Sequence, residues 1–216
     1  MNNIINLTKM SFTNLKSVYK QIWYIWIVWI GVAIYNPFFL NILLGIGVLL
    51  TVYQVMAYED HNNIDYLISY LPVKRKEYVL SRYLLGIVSI LLTSILLCIV
   101  YFVSIKINPS QEMSLDILLP ISIISAILSM SVIIPLVLRF GINKGRVFMS
   151  ILIMVVSTLP VSIMSEISKD SKTLETIINV INSLGIPLLT VIINVIIVLV
   201  SIAISISLYK NKEITE

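Results

Sequence analysis

Six long stretches of this chain contain no charged side chain. The 15 basic and 11 acidic residues all lie outside them. The hydrocarbon core of a bilayer requires about 20 apolar residues per helix, and a charge placed there costs at least about 2.5 kcal/mol. We therefore predict six membrane-spanning helices, over residues 21–36, 38–58, 83–105, 117–138, 147–165 and 186–209.

The rest of the chain is too short for a separate soluble domain. Only 12% of its residues are charged, whereas soluble domains are about a quarter charged. We expect a single all-α membrane domain over residues 1–216.

The charged residues between the stretches predict an orientation. Cytoplasmic loops of membrane proteins carry an excess of Lys and Arg. Twelve of the 15 basic residues fall on the side of the two termini, whereas Lys106, Lys169 and Lys172 fall on the other side. We therefore expect a multi-pass protein of the plasma membrane with both termini in the cytoplasm.

Residues 1–19 combine apolar side chains with Lys9 and Lys16 at loosely helical spacing. This pattern favours an interfacial helix that lies along anionic lipid, and a frayed leader is the alternative. The segment lacks the hydrophobic core and the cleavage site of a signal peptide, so we expect the first spanning helix to serve as the anchor.

Two loops between predicted spans carry helical patterns of their own. In the cytoplasmic loop 59–82, Asn62 or Asn63 can cap a short helix that ends at Leu71-Pro72, before a second helix begins near Lys74. In the outer loop 166–185, apolar residues recur at helical spacing. This second pattern predicts an amphipathic extracellular helix.

Residues for catalysis or metal binding are scarce. The sequence contains no Gly-x4-Gly-Lys-Ser/Thr phosphate loop, so we expect no ATP site of that kind in this chain. His61 is the only histidine and Cys98 the only cysteine, which argues against a metal site and an internal disulfide. We interpret His61 as a solvated loop residue, with a metal or pH-sensing role as the alternative. We expect no catalytic site.

The loop between the second and third predicted spans carries a longer motif. Residues 65–83 read Asp-Tyr-Leu-Ile-Ser-Tyr-Leu-Pro-Val-Lys-Arg-Lys-Glu-Tyr-Val-Leu-Ser-Arg-Tyr. This segment resembles the corresponding loop of ABC-2 type permeases, the membrane subunits of ABC exporters, in which an acidic residue precedes a short helix that ends in Leu-Pro-Val/Ile. The matching positions are Asp65, Leu67, Ser69, Leu71, Pro72, Val73, Arg75, Val79, Arg82 and Tyr83.

The resemblance implies how such a chain would work. Residues 62–70 would form a coupling helix seated in a groove of a separate ABC ATPase subunit, and ATP and Mg²⁺ would bind in that partner. Two ATPase copies and two permease chains, identical or paralogous, would form the exporter. The implied ATPase contacts are Asp65, Leu67, Ile68, Ser69, Leu71, Pro72, Lys74 and Arg75.

The resemblance also indicates a class of cargo. Among these permeases, the chain resembles the small Gram-positive exporters of antimicrobial or other amphipathic peptides, such as phenol-soluble modulins. A path without buried charge fits an amphipathic peptide, and it fits another hydrophobic compound equally. Two other functions stay open at this point: an ion-coupled carrier or channel, and a membrane scaffold or immunity protein that transports nothing.

Overall fold

The computed structural model describes residues 2–35, 38–64, 68, 70, 72–107, 115–167 and 186–210. These residues form helices and short connections, and no strand occurs among them. The five long helices are α1 (Asn2–Tyr35), α2 (Phe38–His61), α3 (Arg75–Ile107), α4 (Leu115–Ile167) and α5 (Ile186–Lys210). The predicted extracellular helix falls almost wholly on residues 168–185, which lie outside this description.

Helix α1 consists of two parts. Asn3–Lys20 and Trp23–Tyr35 meet at an angle of 74°. In the first part, hereafter the N-terminal helix, a buried stripe runs through Leu7, Ser11, Leu15 and Val18 at a spacing of three or four residues, and Thr8 beside it is also buried. Because this stripe packs on α2 and α3, the apolar face of the N-terminal helix contacts protein, while its lysines remain exposed.

Helix α4 folds back on itself at Gly141. The backbone there has φ 76° and ψ 177°, a conformation that glycine adopts without steric cost. The rings of Phe140 and Phe148 lie 5.8 Å apart, although residues eight positions apart in a straight helix are separated by about 12 Å. The two predicted spans in this region, 117–138 and 147–165, therefore lie on different legs of α4.

Among the described residues, three segments are long and apolar enough to cross a membrane by length and composition: Arg75–Ile107, Leu118–Val155, which contains the reversal at Gly141, and Thr190–Lys210. The bent pair Asn3–Lys20 and Trp23–Tyr35 would make a fourth. The count of six spans stays a prediction.

The distribution of side chains on α5 is the reverse of that in a water-soluble helix. On α5, the buried residues Thr190, Asn194, Ser201, Ser205 and Tyr209 all carry polar groups. Apolar side chains such as Val191, Ile196 and Leu199 face outward. Helices in lipid place small and polar residues against their neighbours because lipid solvates the apolar ones.

Helix α2 occupies the centre of the bundle. Its buried side chains include Leu40, Leu44, Val48, Val52 and Met56, and between Leu43 and Met56 only Leu50 and Gln54 are not buried. Beside them, α4 contributes Met130, Ile133 and Ile134 to the same core. The end of α2 and the start of α3 are therefore held in place by a packed core.

Candidate functional site

A buried ion pair joins the end of α2 to the start of α3. Glu59 lies in the last turn of α2 and Arg82 in the third turn of α3. Arg82 Nη1 contacts Glu59 Oε2, and the two residues are 0% and 1% exposed. Because burying a charge costs several kcal/mol, such a pair requires further polar partners.

Ser11 of the N-terminal helix contacts both members of the pair. Its Oγ donates to Glu59 Oε1 at 2.9 Å and accepts from Arg82 Nη1 at 2.8 Å. Asn14 lies one turn further along and donates to the same carboxylate oxygen at 3.4 Å. We call Ser11, Asn14, Glu59 and Arg82 the polar junction, since it joins three helices through one buried network.

A second contact links the N-terminal helix to the first turn of α3. Glu77 Oε2 accepts from the backbone N–H of Lys74 at 3.0 Å and from Asn3 Nδ2 at 3.1 Å. The first bond is one half of a capping box, in which a residue in the first helical turn reaches back to the residue that caps the helix. Glu77 precedes the apolar stretch 83–105, and the Lys74 and Asn3 hydrogen bonds lower the pKa of its carboxyl.

The opposite side of α3 is attached to the last helix. Arg75 Nη1 donates to the carbonyl oxygens of Tyr209 and Lys210, at 3.3 and 2.8 Å, and so satisfies acceptors at the end of α5. The ring of Tyr78 lies 5.3 Å from that of Tyr209. The Arg82 guanidinium lies over the same Tyr78 ring, at 4.4 Å.

Deeper in the bundle, hydroxyl groups continue this attachment. Tyr83 Oη lies 2.7 Å from Ser205 Oγ and 2.5 Å from Ser201 Oγ. Ser201 Oγ in turn donates to the carbonyl oxygen of Ser131 on α4, at 2.6 Å. We call Tyr83, Ser131, Ser201 and Ser205 the hydroxyl seam. Hydroxyl bonds of this kind join helices in lipid.

A family model described as "ABC-2 family transporter protein" matches residues 6–210. The chain belongs to the ABC-2 transporter family. It is thus a multi-pass membrane protein and a transporter component, and members of this family work in general with an ABC ATPase. No curated protein and no solved structure matches the chain.

Within an ABC-2 protein, the polar junction lies at both ends of the loop that carries the motif. The predicted contacts Asp65, Leu67, Ser69 and Leu71 lie outside the described part of the chain. Ile68 is 6% exposed and belongs to the core cluster. Pro72, Lys74 and Arg75 are exposed, and Arg75 binds the end of α5.

Sequence reasoning did not identify Ser11, Asn14 and Glu59 as site residues. It counted Glu59 among the charges of the cytoplasmic loop, and it named Arg82 as a position of the family motif without a partner. One signal could have found them: Glu59 directly follows the stretch 38–58, and Arg82 directly precedes the stretch 83–105. Opposite charges at facing ends of consecutive spans are candidates for a pair.

Among the described residues, no three His, Cys, Asp or Glu side chains come together to hold a metal ion. His61 is exposed, and Cys98 is half-buried with a free thiol. The polar groups that do converge are a salt bridge and hydrogen bonds between helices. This arrangement ties the positions of three helices to one another.

Proposed function

We propose that this chain is the membrane subunit of an ATP-driven exporter and forms half of its translocation path. The observation that carries the proposal is the polar junction. A protein that receives force from a separate ATPase requires a rigid attachment between the receiving loop and its spanning helices. The buried network of Glu59, Arg82 and Ser11 provides that attachment at both ends of loop 59–82.

The proposal includes six spans with both termini in the cytoplasm. The reversal at Gly141 supports this number, because it separates the stretches 117–138 and 147–165 by a tight turn. The exposed lysines of the N-terminal helix would face anionic headgroups. The coupling loop would then lie on the cytoplasmic side, where an ATPase can reach it.

Single-cysteine labelling tests the topology. In the Cys98→Ser chain, Lys144→Cys should react with a membrane-impermeant maleimide in inside-out vesicles, and Lys106→Cys should react in intact cells. Cys98→Ser alone is the control. Labelling of both positions from the same side would contradict six spans.

A measurement of ATP hydrolysis distinguishes the proposed exporter subunit from a carrier or a scaffold. The detergent-purified chain alone should hydrolyse no ATP, and its co-expressed ABC ATPase should copurify with it and hydrolyse ATP at a rate that the permease changes. Robust hydrolysis by the chain alone, or no association with any ABC ATPase, would refute the proposal in favour of a carrier or a scaffold.

The contact surface on the ATPase is proposed to include Asp65, Leu67, Ser69, Leu71, Pro72, Lys74 and Arg75, whereas Ile68, also predicted as a contact, packs in the core of this chain. Lys74 suits a test because its side chain is exposed and its hydrogen bond to Glu77 comes from the backbone N–H, which a substitution retains. Lys74→Glu should reduce copurification of the ATPase, whereas Lys144→Glu, at another exposed position, should not. Equal copurification of both variants would remove Lys74 from the surface.

The proposed cargo is an amphipathic peptide or another hydrophobic compound. Helix α5 has no charged side chain before Lys210, which favours a path that does not select by charge. Efflux of a fluorescent amphipathic peptide from cells that express the chain and its ATPase would support this cargo. An equal rate of efflux without the ATPase would contradict it.

A further inference from the structure

Both ends of loop 59–82 contact the same face of the N-terminal helix. At one end of that helix, Asn3 bonds Glu77 in the first turn of α3. Eight residues further, Ser11 bonds Glu59 at the end of α2 and Arg82 on α3. Eight helical residues extend over about 12 Å, so the N-terminal helix lies across the loop's two attachment points.

The contacts of Ser11 are more buried than the contact of Asn3. Ser11 is 0% exposed, as is Arg82, whereas the bond from Asn3 to Glu77 is exposed. The Ser11 hydroxyl is the group that donates to the carboxylate and also accepts from the guanidinium. If the N-terminal helix moved away, both charges would lose a hydrogen bond where little water can replace it.

We propose that residues 3–20 act as a clasp and that Ser11 is its positioning residue, so that the two ends of loop 59–82 and the first spanning helix move as one body. This inference rests on the proposed function, in which an ATPase acts on that loop. The clasp would carry the ATPase's movement through the bend at residues 20–23 into Trp23–Tyr35. The N-terminal helix would thus be part of the coupling apparatus.

The chain offers a matched pair of variants for the test. Ser11→Ala removes the hydroxyl inside the junction, and Ser17→Ala makes the same change on the exposed face of the same helix. Each would be purified with the ABC ATPase in lipid nanodiscs. The measurement is the change in ATP hydrolysis that the permease causes, compared with the free ATPase, at equal amounts of assembled complex.

We expect Ser11→Ala to reduce the permease-dependent change in ATP hydrolysis about tenfold, which corresponds to the loss of hydrogen bonds to charged groups. Ser17→Ala should leave that change in ATP hydrolysis as it is in the wild type. Assembly with the ATPase should stay the same in both. If the wild-type permease has no effect on hydrolysis, the proposed function fails. If the wild type has an effect and Ser11→Ala retains it in full, the clasp is refuted and the proposed function stands.

A second variant covers the case in which Ser11→Ala does not assemble. Asn3→Ala removes the exposed contact to Glu77 and creates no buried cavity. It should reduce the permease-dependent change by about twofold to threefold, as for one exposed hydrogen bond. An unaltered rate in Asn3→Ala would then overturn the clasp.

A fluorescence measurement separates positioning from simple stabilisation. An environment-sensitive fluorophore on Lys16→Cys, in the Cys98→Ser chain, would report movement of the N-terminal helix when the complex binds ATP. The signal should change on ATP binding in the Ser11 chain and be lost in Ser11→Ala. The same signal change in both chains would show that Ser11 only stabilises the fold.

Discussion

Arg82 and Tyr83 are neighbours in the sequence, yet they attach α3 to different parts of the molecule by different chemistry. Arg82 faces α1 and α2 through a buried charge pair. Tyr83 faces α5 through neutral hydroxyls, and Ser201 of α5 donates in turn to a carbonyl oxygen of α4. Successive helical residues point about 100° apart because a turn contains 3.6 residues, so one helix serves both attachments.

The comparison shows how the cost of a buried polar group depends on charge. Removal of one partner from a buried ion pair costs about 3–5 kcal/mol. A hydroxyl bond between helices in a membrane contributes about 0.6 kcal/mol on average. Substitutions in the polar junction should therefore reduce the free energy of unfolding more than substitutions in the hydroxyl seam.

The largest effect is expected for Arg82→Met. This change leaves the Glu59 carboxylate buried without its cation, and the free energy of unfolding should fall by about 3–5 kcal/mol. The measurement is reversible unfolding of the purified permease in mixed detergent. Arg139→Met, at an exposed arginine, should change the free energy by less than about 0.5 kcal/mol.

A double variant tests whether the unpaired charge of Glu59 causes the loss of stability in Arg82→Met. Glu59→Met with Arg82→Met removes both charges, and it should be more stable than Arg82→Met alone because no unpaired charge stays buried. If the double variant is less stable than Arg82→Met alone, packing and not charge is the reason that substitutions in the polar junction reduce stability.

The next largest effect is expected for Gly47→Ala, which disturbs the packing of α2 against α1. A Cβ added to Gly47 of α2 would lie 2.5 Å from Trp26 Cη2, whereas one added to Gly31 would have no atom within 4 Å. Gly47→Ala should reduce the free energy of unfolding by about 1–3 kcal/mol. Gly31→Ala should leave it unchanged or raise it by up to about 1 kcal/mol. Equal values for the two variants would contradict close contact between α1 and α2.

A smaller effect is expected for Arg75→Ala. The variant loses the bonds to the Tyr209 and Lys210 carbonyls, and the isolated permease should lose about 1 kcal/mol of stability. Lys76→Ala, at an exposed neighbouring position, is the control. If the isolated chain is unaffected but ATPase copurification falls, Arg75 acts at the partner surface and not on α5.

The smallest effect is expected for Tyr83→Phe. Loss of its hydroxyl should cost about 0.6 kcal/mol and at most about 1.7 kcal/mol. A double-mutant cycle with Ser201→Ala measures the bond between them, and Tyr24→Phe on an exposed face is the control. A cost as large as that of Arg82→Met would remove the distinction between the seam and the junction.

The sequence allowed more of the fold than of the site to be predicted. The stretch 83–105 lies within α3, and the stretch 38–58 lies within α2. The match at residues 6–210 confirmed the family that the motif in loop 59–82 indicated. The pattern of residues 1–19 favours an interfacial helix along anionic lipid, which stays a prediction, and the structure adds that Leu7, Leu15 and Val18 pack against protein. Periodicity shows that a helix has an apolar face and does not show what covers it.

Charge segregation along the chain by itself determined that this is a membrane protein of apolar helices, because the cost of a charge in lipid depends on a local run of residues. The tertiary structure decided which charges are buried together. Ser11 lies 48 positions from Glu59 and 71 from Arg82. Contacts over such separations depend on which helices meet, and the packed core of α2 and α4 fixes that arrangement.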